Sequence, residues 1–299
     1  MKHILPVLII PLFIFSGYDG STGLAREKKK KPKHEYFYII NYSFSHTMAE
    51  IEINGVPVAK SKKEFDYSSS GFTDVGQWID PGQNNILVKV ARFMDEKGGS
   101  SPFPRVQLTL SIAQKGEWTD QGKKILEFRV PETGTSGKAS ERTITLPFSK
   151  EIPFTPEYVP PSKLWSLAKP VTLDSDSKKL ITKLVGDYYT ALKKSDMNAL
   201  HGLLLFRIKD LSRLRYLSAD EAASHFRQEL KELISMKGFA MQPLDLGALV
   251  FRPVAYGKVI WVTDASGGDP VKTKYIKDSG SITFPVYVSL IHGKWVMVR

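Results

Sequence analysis

The chain contains no cysteine. That absence excludes a disulfide framework, a thiolate metal site, a cysteine nucleophile and a lipid attached at a lipobox cysteine. Its six histidines are scattered from His3 to His292, with no H-x-x-x-H or H-E-x-x-H pair, so no metal site is expected. A phosphate-cradling loop is missing as well, since "KGGSSP" lacks the lysine and the following helix that a P-loop requires, and there is no G-x-S-x-G elbow. Long apolar runs are also lacking. The run from Ile4 to Phe15 has twelve residues, whereas a helix spanning a bilayer needs roughly 17 to 25. No cofactor is expected, and nothing in these patterns demands an enzyme.

What is present at the start is a short basic opening (Lys2, His3), that apolar run, and then small and polar residues ending "GSTGLA". This is the pattern of a secretory signal peptide over residues 1–25. Exported eukaryotic domains usually carry disulfides, so an exported chain without cysteine is expected to be bacterial and periplasmic or extracellular. Next comes "REKKKKPK", Arg26 to Lys33, with six basic residues against one acid, a large share of the formal net charge of +11. A block of this kind is solvated and disordered, so residues 26–34 read as a basic tether. It could also hold the protein to a glycan or another anionic surface by salt-sensitive attraction, peripheral to a membrane at most. Nucleic acid is not expected, because export removes it as a partner.

Two domains are expected for a mature chain of this length. Five prolines fall between Pro153 and Pro170, a density that suits neither helix nor central strand, and residues 151–172 therefore read as a proline-rich linker. Before it, residues 35–150 are strand-like. Ile51 and Ile53 alternate with Glu50 and Glu52, and Val106, Leu108, Leu110 and Ile112 alternate with polar residues, as antiparallel strands half exposed to water do. Six or more such strands predict an all-β sandwich. After the linker, residues 173–299 predict an α+β domain, helices first and antiparallel strands after. Leu180, Leu184, Tyr188, Ala191 and Leu192 suggest the buried stripe of a first helix. "SADE", Ser218 to Glu221, is a capping box opening another helix, with Ala222, Phe226, Leu230, Leu233 and Ile234 as its apolar stripe and Gly238 as its stop. Ile282, Phe284, Val286, Val288 and Leu290 share one face of a long strand.

Two resemblances accompany this reading. "EIEINGVPV" followed by "DVGQWIDPGQNNILVKV" resembles the paired segments of galactose-binding-like jelly rolls, where a strand bearing Asn-Gly precedes a Pro-Gly-x-Asn turn and a long inner strand. The resemblance implies a sugar site on loops at one end of the sandwich, lined by aromatic rings, for which Tyr67, Phe72, Trp78 and Trp118 are the candidates. Helices first, then a sheet ending in "GKWVMVR", resembles the nuclear transport factor 2-like superfamily. That superfamily includes enzymes working in the mouth of a cone as well as non-catalytic binding modules. The pocket candidates it implies are Tyr188, Tyr189, His201, His225, Arg252 and Asp264, although no motif of an enzymatic branch matches them. The expected role is therefore non-catalytic binding of another envelope protein, an assembly component or a neutralised effector. Glycan binding through the sandwich, or small-molecule catalysis in the second domain, are the alternatives.

Overall fold

In the computed structural model the described residues are 35–61, 68–92, 105–130, 145–277 and 279–299. The expected signal peptide, the basic tether and the candidate Tyr67 lie outside them. Among the described residues strands come first, and the longer helices fall in the C-terminal half, followed by further strands. The chain divides into two compact units, the first ending at Pro161 and the second running from Ser162 to Arg299.

Among its described residues the first unit has eight strands: β1 (Tyr36–Ser45), β2 (Thr47–Ile53), β3 (Val56–Lys60), β4 (Ser69–Asp74), β5 (Asn84–Arg92), β6 (Arg105–Gln114), β7 (Lys123–Val130) and β8 (Phe148–Phe154). They form two antiparallel four-stranded sheets, β4-β1-β6-β7 and β3-β2-β5-β8. Period-two alternation is why. On β2 the side chains of Ala49, Ile51 and Ile53 are buried, as are Ile86, Val88 and Val90 on β5 and Val106, Leu108, Leu110 and Ile112 on β6. Burial of each of these valine, leucine and isoleucine side chains contributes about 1.5–3 kcal/mol of hydrophobic stabilisation, which ties the register of these strands to their pattern. On the opposite face of β2, Glu50 lies in register with Lys89, which bonds both Glu50 and Glu52.

The segment resembling a jelly-roll signature turns out to build a buried amide lock. Asn54 and Gly55 both have positive φ, as a two-residue hairpin between β2 and β3 requires. The Asn54 Nδ2 group then donates to the Trp78 carbonyl at 2.9 Å and to Asn84 Oδ1 at 2.8 Å. Asn84 is fully buried; its Oδ1 also accepts from the Asp80 amide, and its Nδ2 donates to the carbonyls of Asp80 and Gly82. The two asparagines thus hold the Asn-Gly turn against the Pro-Gly turn.

The proline-rich stretch is not a free linker over residues 151–172. Its first part is the end of β8, an edge strand on which Pro153 lies opposite Asn85, a place where a missing N–H is tolerated. Beyond it, Tyr158 is tied to the first unit by its amide and carbonyl, both bonded to the buried Tyr38 hydroxyl. From Ser162 onward the chain already belongs to the second unit. There the short helix α1 (Leu164–Leu167) buries Leu164 and Trp165.

The second unit continues with α2 (Ser175–Lys194), α3 (Met197–Leu203), α4 (Leu205–Leu214) and α5 (Ala219–Ile234). Then come β9 (Val250–Val254), β10 (Val259–Thr263), β11 (Val271–Lys272), β12 (Thr283–Phe284), β13 (Val286–Ile291) and β14 (Lys294–Met297). Sheet β14-β13-β10-β9 is antiparallel, and β11 pairs with β12 separately. Ile260, Val262, Val286, Val288 and Met297 share a core with Ile181, Val185, Tyr188, Leu192, Phe226 and Leu230 from the helices. The capping box at Ser218 and Glu221 forms with both reciprocal bonds.

Three expectations need correction here. On α2 the buried stripe is Ile181, Val185, Tyr188, Ala191 and Leu192, while Leu180 is 57% exposed. Two apolar rows lie side by side on that helix, and only packing selects the inner one. α5 ends at Ile234 with Ser235 as its cap, so Gly238, at φ +90°, serves the following turn instead of the helix stop. The expected long strand is broken at Pro285 into β12 and β13, which belong to different sheets. Proline has no N–H to carry a ladder across that point.

Candidate functional site

Of the four ring candidates, the structure separates core from surface. Trp78 is 4% exposed and its carbonyl belongs to the amide lock, so it is a packing residue. Phe72 and Trp118 are 61% and 75% exposed. Phe72 on β4 is paired with Asn41 on β1, which is paired in turn with Thr109 on β6. The Asn41 Nδ2 group donates to the Thr119 carbonyl at 3.1 Å, which ties the loop between β6 and β7, next to Trp118, to β1.

That loop is held in place by its own bonds. Lys115 N–H donates to the Glu35 carbonyl, Gln114 N–H to the Glu117 carboxylate, and Trp118 and Gln121 close a turn through the Gln121 side chain and the Trp118 carbonyl. At its return, Gly122 comes so near β6 that a Cβ there would lie 2.7 Å from the Ile112 carbonyl oxygen, which only glycine permits. The outcome is an ordered surface carrying two rings and a set of hydrogen-bonding groups. With 61% and 75% of their surface still exposed, each ring can bury roughly 100–190 Å² against a ligand, worth about 2.5–5 kcal/mol before the entropy of association is subtracted.

The candidates of the second unit do not converge. Tyr188 is in the core of the unit, and burial pushes its hydroxyl up to about 12, with the neighbouring Arg207 opposing that rise and Asp269 adding to it. Tyr189, the next residue, is half-buried and lines a surface cleft. His225 is exposed on α5 and His201 lies partly exposed on α3. Arg252 is exposed on β9, its guanidinium 5.6 Å from the centre of the Trp261 ring, which in turn stacks on Tyr287. Asp264 organises its own loop. Although burial raises its carboxyl, hydrogen bonds from Ser266, the Gly268 amide and Lys272 outweigh that and hold it at about 2. It is a turn anchor, far too acidic for a base at neutral pH.

The structure assembles a different polar group, which the sequence analysis did not single out. Glu229 on α5 has its carboxyl pushed up to about 7, first by burial and then by Glu232, with Arg207 and Arg215 only partly opposing. Its Oε2 atom is buried with no hydrogen-bond partner among the described residues. The charge of Arg207 on α4 is disfavoured by burial and supported by Tyr188 and Glu229. Arg207 interrupts the apolar stretch "LLLFRI", but Glu229 in "FRQELKELI" is one of several polar residues of its helix, and nothing in either segment pairs one with the other. Among the described residues no group of three or more His, Asp or Glu side chains is placed to hold a metal ion. None of the described helices is long and apolar enough to cross a membrane.

No family model, characterised protein or solved structure matches the chain.

Proposed function

We propose that the protein acts by binding a partner protein in the bacterial cell envelope, with the outer face of sheet β4-β1-β6-β7 as its recognition surface. The observation that carries this reading is the two exposed rings, Phe72 on the strand paired with Asn41 and Trp118 next to the Thr119 carbonyl that Asn41 binds. Aromatic anchors on a preformed scaffold are what protein hot spots use, because they bury much area at little conformational cost. In this reading the export signal places the protein in the periplasm or outside the cell, the basic segment serves as a tether, and the first unit is a β-sandwich. The order of helices and sheet in the second unit supports a nuclear transport factor 2-like fold acting without turnover. Tyr188 in the core and His225 facing water support binding over catalysis there.

The test is capture from an envelope fraction at high salt, with the wild type and the Phe72→Ala/Trp118→Ala double variant side by side. One stoichiometric protein recovered by the wild type and lost by the variant is the expected result. Equal recovery by both places the contact elsewhere and rejects this surface. A second reading, glycan binding at the same face, is favoured by the polar side chains in register with Phe72, Asn41 on the adjacent strand and Thr109 on the one beyond it. For that reading a glycan array retains the wild type and not the double variant.

A further inference from the structure

The second unit carries a cleft of about 520 Å³, within the range of small-molecule sites. It is lined by Tyr189 and Lys193 near the end of α2, by Phe239, Met241 and Pro243 in the segment after α5, and by Lys274 beyond β11. Met241 is buried, and with Phe239 and Pro243 it makes an apolar wall. No carboxylate lines the cleft. Lys193 has its ammonium 5.9 Å from the centre of the Tyr189 ring, and neither lysine has an acidic partner among the described residues.

Two opposing fields meet here. α2 and α5 both end beside the cleft, at Ser195 and Ile234, and a helix C-terminus carries roughly half a negative charge. Part of that is already spent on local bonds, since the amides of Ser195 and Asp196 reach back to the carbonyls of Ala191 and Leu192. Two whole lysine charges exceed the remainder, and the cleft is net positive. An inorganic anion would satisfy the lysines but leave the apolar wall unused.

We propose that this cleft binds a small organic anion, its carboxylate between Lys193 and Lys274 and its apolar body against Phe239, Met241 and Pro243. The site is distinct from the aromatic face of the first unit and does not depend on that reading.

The experiment is a titration of the full chain followed by NMR, with 4-phenylbutyrate, its neutral counterpart 4-phenylbutanol, and inorganic phosphate as probes. The carboxylate is expected to bind saturably, with shifts at Tyr189, Phe239 and Lys274. The alcohol should bind at least about fivefold more weakly, and Lys193→Gln/Lys274→Gln should weaken the carboxylate about tenfold, the scale of two exposed charge contacts. Both lysines are exposed, so the variant keeps the fold. Equal binding of acid and alcohol overturns the proposal, as does an unaffected double variant, phosphate binding as tightly as the carboxylate, or no saturable shift at the cleft up to about 10 mM.

Discussion

The two units each bury a polar lock, and the locks differ in kind. In the first unit it is neutral: Asn54 and Asn84 join two turns through amide hydrogen bonds. In the second it is charged. Asp210 on α4 is fully buried, and its carboxylate accepts from Arg299 Nη2 at 3.0 Å, Ser162 Oγ at 2.6 Å and the Lys163 amide at 2.5 Å. One lock closes a local pair of turns, whereas the other gathers the start of the unit, a helix and the segment after the last strand. The difference teaches where each unit is vulnerable. A buried amide exchanges one hydrogen bond for another at little desolvation cost, while a buried charge is tolerable only as long as its partner stays.

The largest effect should therefore come from the charged lock. Asp210→Ala leaves the Arg299 guanidinium buried without its carboxylate and is expected to destabilise the second unit by about 3–5 kcal/mol. Hydrogen exchange resolved along the chain would show it, with protection lost from Ser162 to Arg299. If Asp210→Ala is no worse than the neutral lock's variant, the contrast between the units fails. That variant is Asn84→Ala, which removes one of the two acceptors of the Asn54 amide and the side-chain acceptor of the Asp80 N–H and should cost the first unit about 1–3 kcal/mol, with no dependence on pH between 5 and 8.

A third effect separates the units by pH. The folded-state pKa of Glu229, about 7, lies above its ordinary value of 4.5. The folded state thus holds a proton that the unfolded state releases, and this group's contribution to stability declines as pH rises from about 4.5 to about 7. Because Glu229 is only half-buried, the penalty is discounted to about 1 kcal/mol above pH 7. Urea unfolding at pH 5 and pH 8 should show Glu229→Gln more stable than wild type at the higher pH only. Smaller still, Lys89→Met at the exposed pair with Glu50 should shift stability by less than about 1 kcal/mol. Phe72→Ala and Trp118→Ala should leave stability within about 0.5 kcal/mol and change only binding. A large loss of stability from either would show that the rings pack against something and do not wait for a partner.

The legible parts of this fold are those written in short windows. Alternation marked the buried faces of β2 and β6, Ser218 and Glu221 announced their helix, and the Asn-Gly and Pro-Gly turns announced a close pairing of strands. The same windows misjudged α2, where Leu180 and Ile181 are neighbours of equal hydrophobicity, and the strand through Pro285, where periodicity continues across a break in hydrogen bonding. For the candidate surface, Phe72 and Trp118 could be named as aromatic, yet so could Trp78. Exposure divided them, and exposure depends on which strands and loops lie over each ring.

By itself, then, the sequence determined the order of strands and helices, the faces the strands bury, the local caps and turns, and the exclusion of any cysteine chemistry. Each of these depends on residues within a few positions of one another, where backbone sterics and side-chain spacing decide. Tertiary structure alone decided the pairing of Asp210 with Arg299, the electrostatic coupling of Arg207 with Glu229, the bond from Asn41 to the loop that carries Trp118, and the cleft lined by Lys193 and Lys274. These are contacts between residues far apart in the chain. Their energies arise from burial and from charges brought into a shared low-dielectric environment, which no short window of sequence contains.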